Sequence, residues 1–365
     1  MVNPIYQQDE ELLLNPFGSK YLGASEHIDV NSNEFIVQED TVISVLTGGD
    51  ASISENSIDY KTSMNLSGVT LKKGALIVAP VGEAFKSITI DSGAIMAYNC
   101  VVEGEKPGSF VGLLDDYPDA AAAYSLRKLK ADYTGAAIQV RVDTTGQPTY
   151  DISFDSNGDL DTTDLLSKVG ANDAYVNTWY DQSGGGNDAT QGSASNQPQI
   201  VSGGIINKVN NISAVDFDGT DNYLETSNFT EIEQPTSYFG VFKFDSNKNQ
   251  NIFDSSLNAR QLAGDNGTNY KFFGGSTITG GTTNTNQNSF NGIFNSTDSL
   301  FVNDISVVSG NAGTNGIDKI VIASNYPKTG AFLDGKIQEL ILYPSDQSAN
   351  RAAIETNIND YYNVH

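Results

Sequence analysis

Between positions 21 and 99, apolar residues come in short runs separated by glycine turns. The runs are FIV at 35–37, TVISVL at 41–46, ALIVA at 75–79, SITI at 87–90 and AIMAY at 94–98, with Gly48-Gly49, Lys73-Gly74 and Ser92-Gly93 as punctuation. Apolar runs of that length, closed by glycine, predict strands. Residues 21–99 are therefore expected to form a small β module. A module that short buries little of its own apolar surface, so it is expected to make an oligomer, with Ile77 and Ile88 as interface candidates and a trimer as the expected state. Residues 1–20 hold one short apolar run, Leu12 to Leu14, and read as an anchoring arm. Residues 100–108 read as a linker and 109–365 as a second domain.

In that second domain helix signals are few. Asp115-Asp116, Pro118, an alanine run and the bases of YSLRKLK predict one helix, running into residues 124–130. Asp161 as cap and Gly170 as stop predict a second over 162–169, and a third closes the chain near 348–361. Elsewhere the pattern is β. In AVDFDGTDNYLE (214–225) and GKIQELILY (335–343) apolar and polar positions alternate, as in strands with one face packed inward.

Composition narrows the function classes. Forty-five acidic against twenty basic residues give a formal charge of −25. That charge opposes nucleic acid and anionic membranes, and neither is an expected partner. The single cysteine, Cys100, excludes an intrachain disulfide. No signal peptide or membrane span is expected from the acidic N-terminal stretch. The two histidines, His27 and His365, support neither a histidine triad nor a multi-histidine metal site.

Two resemblances add to this. MNLSGVTLKKGALIVAPVGEAFKSITIDSGAIMAYN (64–99) resembles a β module of tailed-bacteriophage virion proteins. AYSLRKLKADYTGAAIQVRVD (123–143), DISFDSNGDLDTTDLLSKVG (151–170) and TWYDQSGGGNDATQ (178–191) resemble the catalytic domain of the α-L-arabinofuranosidase B family. The segments 214–225 and 335–343 look like the early and closing strands of concanavalin A-like or laminin G-like sandwiches. The fold class implied is mainly β, a small N-terminal β domain followed by a concanavalin A-like β-sandwich with a few short helices.

The second resemblance also implies a catalytic glutamate on a mid-domain strand and an aspartate before the closing strand. A retaining glycosidase needs two such carboxylates, about 5–5.5 Å apart. Here no glutamate occurs between Glu233 and Glu339, and Asn325 stands in the segment before the closing strand. An amide cannot protonate a leaving group. The expectation is therefore a protein without catalysis, a virion structural protein (capsid decoration, head fibre or tail fibre) on the outer surface of the particle. Its arm would meet other virion proteins and its sandwich host-surface glycans. The alternatives are an arabinofuranosidase-like glycoside hydrolase and a bacterial surface glycan-binding protein.

Candidate ligand-binding residues are Tyr180, Asp181, Gln182, Asn187, Asp188 and Tyr326. For the 178–191 loop two readings stand, a turn that hydrogen-bonds to itself and a sugar contact. No cofactor is expected beyond a candidate calcium loop, Asp155, Asn157, Asp159 and Asp161. In that loop glycine holds the fourth place instead of the sixth, and Leu166 stands where a bidentate glutamate is needed.

Overall fold

The computed structural model describes residues 20–23, 27–32, 34–50, 58–79, 83–98, 101–102 and 110–365. Residues 1–19 of the expected arm, Cys100, and positions 103–108 of the expected linker lie outside the described residues. The chain divides into two compact units, Met1–Ser109 and Phe110–His365. The fold is mainly β throughout, with a few short helices.

The N-terminal unit is built on two long antiparallel strands, Glu34–Asp50 and Glu83–Tyr98. Their register slips at several bulges, each adding a residue on one side and sharpening the twist. At one of them Gly93 takes a left-handed backbone, φ +87°, and a Cβ there would stand 2.4 Å from the Asp40 carbonyl oxygen. The core holds Phe35, Leu46, Phe85, Ile88 and Ile90, all buried, with Tyr60 set edge-on to Phe85 at 5.3 Å. Ile88 is thus an interior residue of its own unit, which removes it as an interface candidate. Ile77 also packs against this core. The outward apolar side chains of that segment are Leu76 and Val78, 52% and 49% exposed. Ile88→Val should cost this unit about 1 kcal/mol, and Leu76→Ala much less, read by hydrogen exchange of the two long strands.

The C-terminal unit is a sandwich. One sheet runs Ala122–Ser125, Asp334–Tyr343, Thr236–Phe244, Gln287–Phe294, Asp298–Val302 and Ile305–Gly310. The other runs from Ile138–Val142 through Ala174–Trp179, Ala189–Thr190, Leu224–Glu225, Val321–Ile322, Asn249–Asp254 and Leu262–Asn266 to Tyr270–Phe273. Aromatic rings from both sheets interlock between them, Tyr238 stacked on Phe253 at 4.3 Å and Phe272 on Phe294 at 3.9 Å. Gly240, mid-strand in the first sheet, leaves room for the Glu339 carbonyl, which a Cβ would meet at 2.3 Å.

The second helix forms over Thr162–Val169, with the Asp161 carboxylate accepting from the Asp164 N–H and Gly170 ending it. The last helix, Arg351–Tyr362, covers the outer face of the first sheet, burying Ile354, Ile358 and Tyr362 against Phe239, Val241 and Ile341. The expected helix through 124–130 is corrected. Only Leu113–Asp116 is helical, and Ala122–Ser125 is a fully buried strand paired with Glu339 to Leu342. Alanine's helix preference, a few tenths of a kcal/mol per residue, yields to a strand position beside the closing strand.

Candidate functional site

The loop after Ala174–Trp179 spends its polar groups on itself and on the neighbouring 121–129 segment. The Asp181 carboxylate accepts from Ala123 N (2.9 Å), Ser183 N (2.9 Å), Ser183 Oγ (2.8 Å) and Asn187 N (3.0 Å). Asp188 accepts from Asp181 N, and the Asn187 amide donates to Ala121 O. Gln182, buried, accepts from Leu129 N and donates to the Ser125 and Arg127 carbonyls. Tyr180 donates to Asp151 at 2.8 Å; burial and then that carboxylate push its hydroxyl well above the usual range. Trp179 is fully buried, its ring 6.2 Å from Tyr124. The loop thereby ties strand Ala122–Ser125 to strand Ala174–Trp179.

The acidic run 155–161 is divided among three tasks. Asp155 accepts from the N–H groups of Asn157 and Asp159, Asp159 takes the Tyr361 hydroxyl, and Asp161 caps its helix. Among the described residues no group of three or more His, Cys, Asp or Glu side chains gathers as metal ligands would.

Tyr326 belongs to a different place. Across the second sheet Glu225 pairs with Val321, and Val321 with Asp254. Leu224, Ile322 and Phe253, one residue back or on, point into the core. Side chains alternate along a strand, so Glu225, Val321 and Asp254 form a row on the outer face. Two inter-strand spacings, roughly 9–10 Å, separate the two acidic positions. Segment 323–331 follows Val321–Ile322 and joins both ends of the row: Tyr326 N donates to Asp254 Oδ2 (3.1 Å), and Lys328 Nζ to Glu225 Oε2 (3.0 Å). Ala323, Lys328 and Ala331 in that segment all adopt left-handed backbones, φ 68°, 68° and 50°. Non-glycine residues held there store strain, which concentrates at functional sites. Asn325, the amide standing where an acid was sought, binds the loop itself, accepting from Thr329 N and Gly330 N.

Both carboxylates of the row are paired with cations. Asp254 is fully buried and accepts from Arg260 Nε (2.8 Å) and Nη2 (2.7 Å), from Ser255 N and from the Asn251 amide. Glu225 accepts from Lys319 (2.6 Å) and Lys328; burial raises its carboxyl, but the two lysine hydrogen bonds outweigh that and hold it below its ordinary value. Further along the same face Lys271 lies over Gly264, where the missing Cβ leaves space between Asn251 and the lysine stem. Its ammonium donates to Asn249 Oδ1 at 2.6 Å, and burial brings it down to about 8 although Asp254 and Asp265 pull the other way. Of the candidate ligand-binding residues, only Tyr326 touches this row, through its backbone N–H, with Asn325 beside it in the covering loop. Glu225, Asp254, Arg260 and Lys271 carry no motif; the common face of Glu225, Asp254 and Lys271 follows from strand pairing, and Arg260 joins it from the loop after Asp254 through its ion pair.

No protein-family model and no curated protein matches the chain. Among solved structures, an arabinofuranosidase complexed with arabinofuranosyl-α-1,2-xylobiose is similar at a TM-score of 0.50 and 15% identity, over 66% of this chain and 62% of that one. The C-terminal unit has the arabinofuranosidase β-sandwich fold. A GH54 α-L-arabinofuranosidase soaked with a cyclic sulfate inhibitor matches at a TM-score of 0.46 and 14% identity with the same coverage. The chain thus spans about 62% of the length of these two structures. The first of these likenesses tells against two expectations, a virion display protein and the absence of catalysis: the similar structure is an arabinofuranosidase. No helix among the described residues is long and apolar enough to cross a membrane.

Proposed function

We propose that the C-terminal unit is a glycoside hydrolase acting on arabinofuranosidic linkages, with the Glu225–Asp254 row as its site. The observation that carries this reading is the row itself, two carboxylates on the outer side of one sheet, Glu225 partly exposed and Asp254 buried beneath a strained loop, in an arabinofuranosidase sandwich. Glu225, partly exposed and ionised, faces the substrate as the anion or base. Asp254, buried under five N–H donors, contributes negative field toward an oxocarbenium-like transition state. Glu225, held below its ordinary value by two lysines, is not poised to give up a proton. Lys271, protonated below about pH 8, is the neighbouring group able to donate one.

That division of labour favours aryl glycosides, whose leaving group departs without protonation. The full chain should hydrolyse an aryl α-L-arabinofuranoside, and Glu225→Gln should lower kcat/KM about 100-fold, the usual scale for losing an acid–base group. Lack of turnover by folded wild-type protein on aryl and glycan-linked arabinofuranosides alike would overturn the proposal.

A further inference from the structure

Lys328 stands out among the groups around the row. Glu225 is matched by Lys319 at 2.6 Å, yet Lys328 reaches the same oxygen at 3.0 Å, so one carboxylate faces two ammonium groups. The more exposed of the two is Lys328, whose side chain is 23% exposed against 13% for Lys319. Its ammonium lies 5.9 Å from the centre of the Tyr223 ring and 5.5 Å from that of Tyr326. Both tyrosines are half-buried. Aromatic faces of this kind stack on the apolar face of a sugar ring, and a lysine between them presents a positive charge at the ring's edge. The backbone of Lys328 is left-handed, φ 68°, so the loop holds this side chain in place at a cost in strain. In a chain of charge −25, a cation in excess of its local carboxylate is a local reversal of sign.

We propose that Lys328, flanked by Tyr223 and Tyr326, forms a subsite for a sugar carrying a carboxylate, a uronic acid residue, next to the Glu225–Asp254 row. The proposal rests on the reading of this row as a glycan site and names the class of glycan. The lysine would exchange part of its contact with Glu225 for a charge-assisted hydrogen bond to the uronate, with the two rings holding the sugar plane. Lys319 remains to neutralise Glu225.

The test is a binding measurement, independent of turnover. Isothermal titration of the full chain with a galacturonic acid oligomer should give saturable binding that weakens with added salt. A neutral arabinose oligomer should bind at least about tenfold more weakly at low salt, the scale of one charge-assisted hydrogen bond. Lys328→Asn, a residue that tolerates the left-handed backbone, should lose about tenfold in galacturonate affinity and much less in that of the neutral oligomer. Tyr326→Ala should weaken both. Absence of galacturonate binding by the wild type, or equal affinity of wild type and a folded Lys328→Asn, overturns the subsite. Should Lys328→Asn not fold, the salt dependence and the acidic-over-neutral preference of the wild type decide alone. Because no hydrolysis is read, inert protein that binds uronate sinks the hydrolase and keeps the subsite, and active protein blind to uronate does the reverse.

Discussion

Glu339→Gln should lower the stability of the C-terminal unit by about 3–5 kcal/mol, the cost of stranding one member of a buried ion pair. Glu339 is fully buried and receives Arg127 through Nε at 2.8 Å and Nη2 at 3.0 Å. Ser125 and Tyr362 hydroxyls donate to the same carboxylate at 2.8 and 3.1 Å, while Arg127 Nη1 reaches Asn357 on the last helix. One carboxylate therefore joins the first strand, the closing strand and the covering helix. Burial pushes the Arg127 guanidinium toward losing its proton, and Glu339 more than offsets this, so an amide leaves a buried, uncompensated cation. The double replacement Arg127→Met with Glu339→Leu should lose less than Glu339→Gln alone, because it leaves no unpaired charge. Trp179 is the sole tryptophan and lies in the core of this unit, so its fluorescence reports the transition without interference from the N-terminal unit. An unchanged melting temperature in Glu339→Gln would show that the pair contributes nothing to stability.

The parts of this fold that are legible in sequence are those governed by local rules. The alternation in 335–343 marks the closing strand, and an aspartate cap with a glycine stop brackets Thr162–Val169. Strand Ala122–Ser125 defied the same rules, because its partner lies some 215 positions away and alanine with tyrosine carries no period-2 signature. The candidate site is harder still. No glutamate lies on a mid-domain strand after Glu233, and Asp254 joins Glu225 only because both flank Val321 in the folded sheet. Asn325 looked like the vacated acid of a pair; its side chain is engaged in closing its own loop. The cations paired with the two carboxylates come from positions 260, 319 and 328, spacings that no linear motif records.

Asp181→Ala should destabilise the C-terminal unit by about 3 kcal/mol or more and leave glycan binding intact below the melting transition. The carboxylate takes four hydrogen bonds, three of them from backbone N–H groups, and the Ala123 N–H lies on a fully buried residue. Each buried donor left without an acceptor costs about 1–3 kcal/mol, although those nearest solvent will recruit water. The loss spreads along the chain, because releasing Ala123 loosens strand Ala122–Ser125 from strand Asp334–Tyr343. Asp181→Asn keeps one acceptor oxygen and should fall between alanine and wild type. Trp179, two positions before Asp181, gives a direct optical readout of loop loosening. The comparison with Lys328→Asn separates scaffold from site: one should lower the melting temperature and keep affinity, the other lose affinity and keep the melting temperature. If Asp181→Ala abolished sugar binding at an unchanged melting temperature, the ligand contacts would belong to the 178–191 loop, and the row beneath Tyr326 would lose its claim.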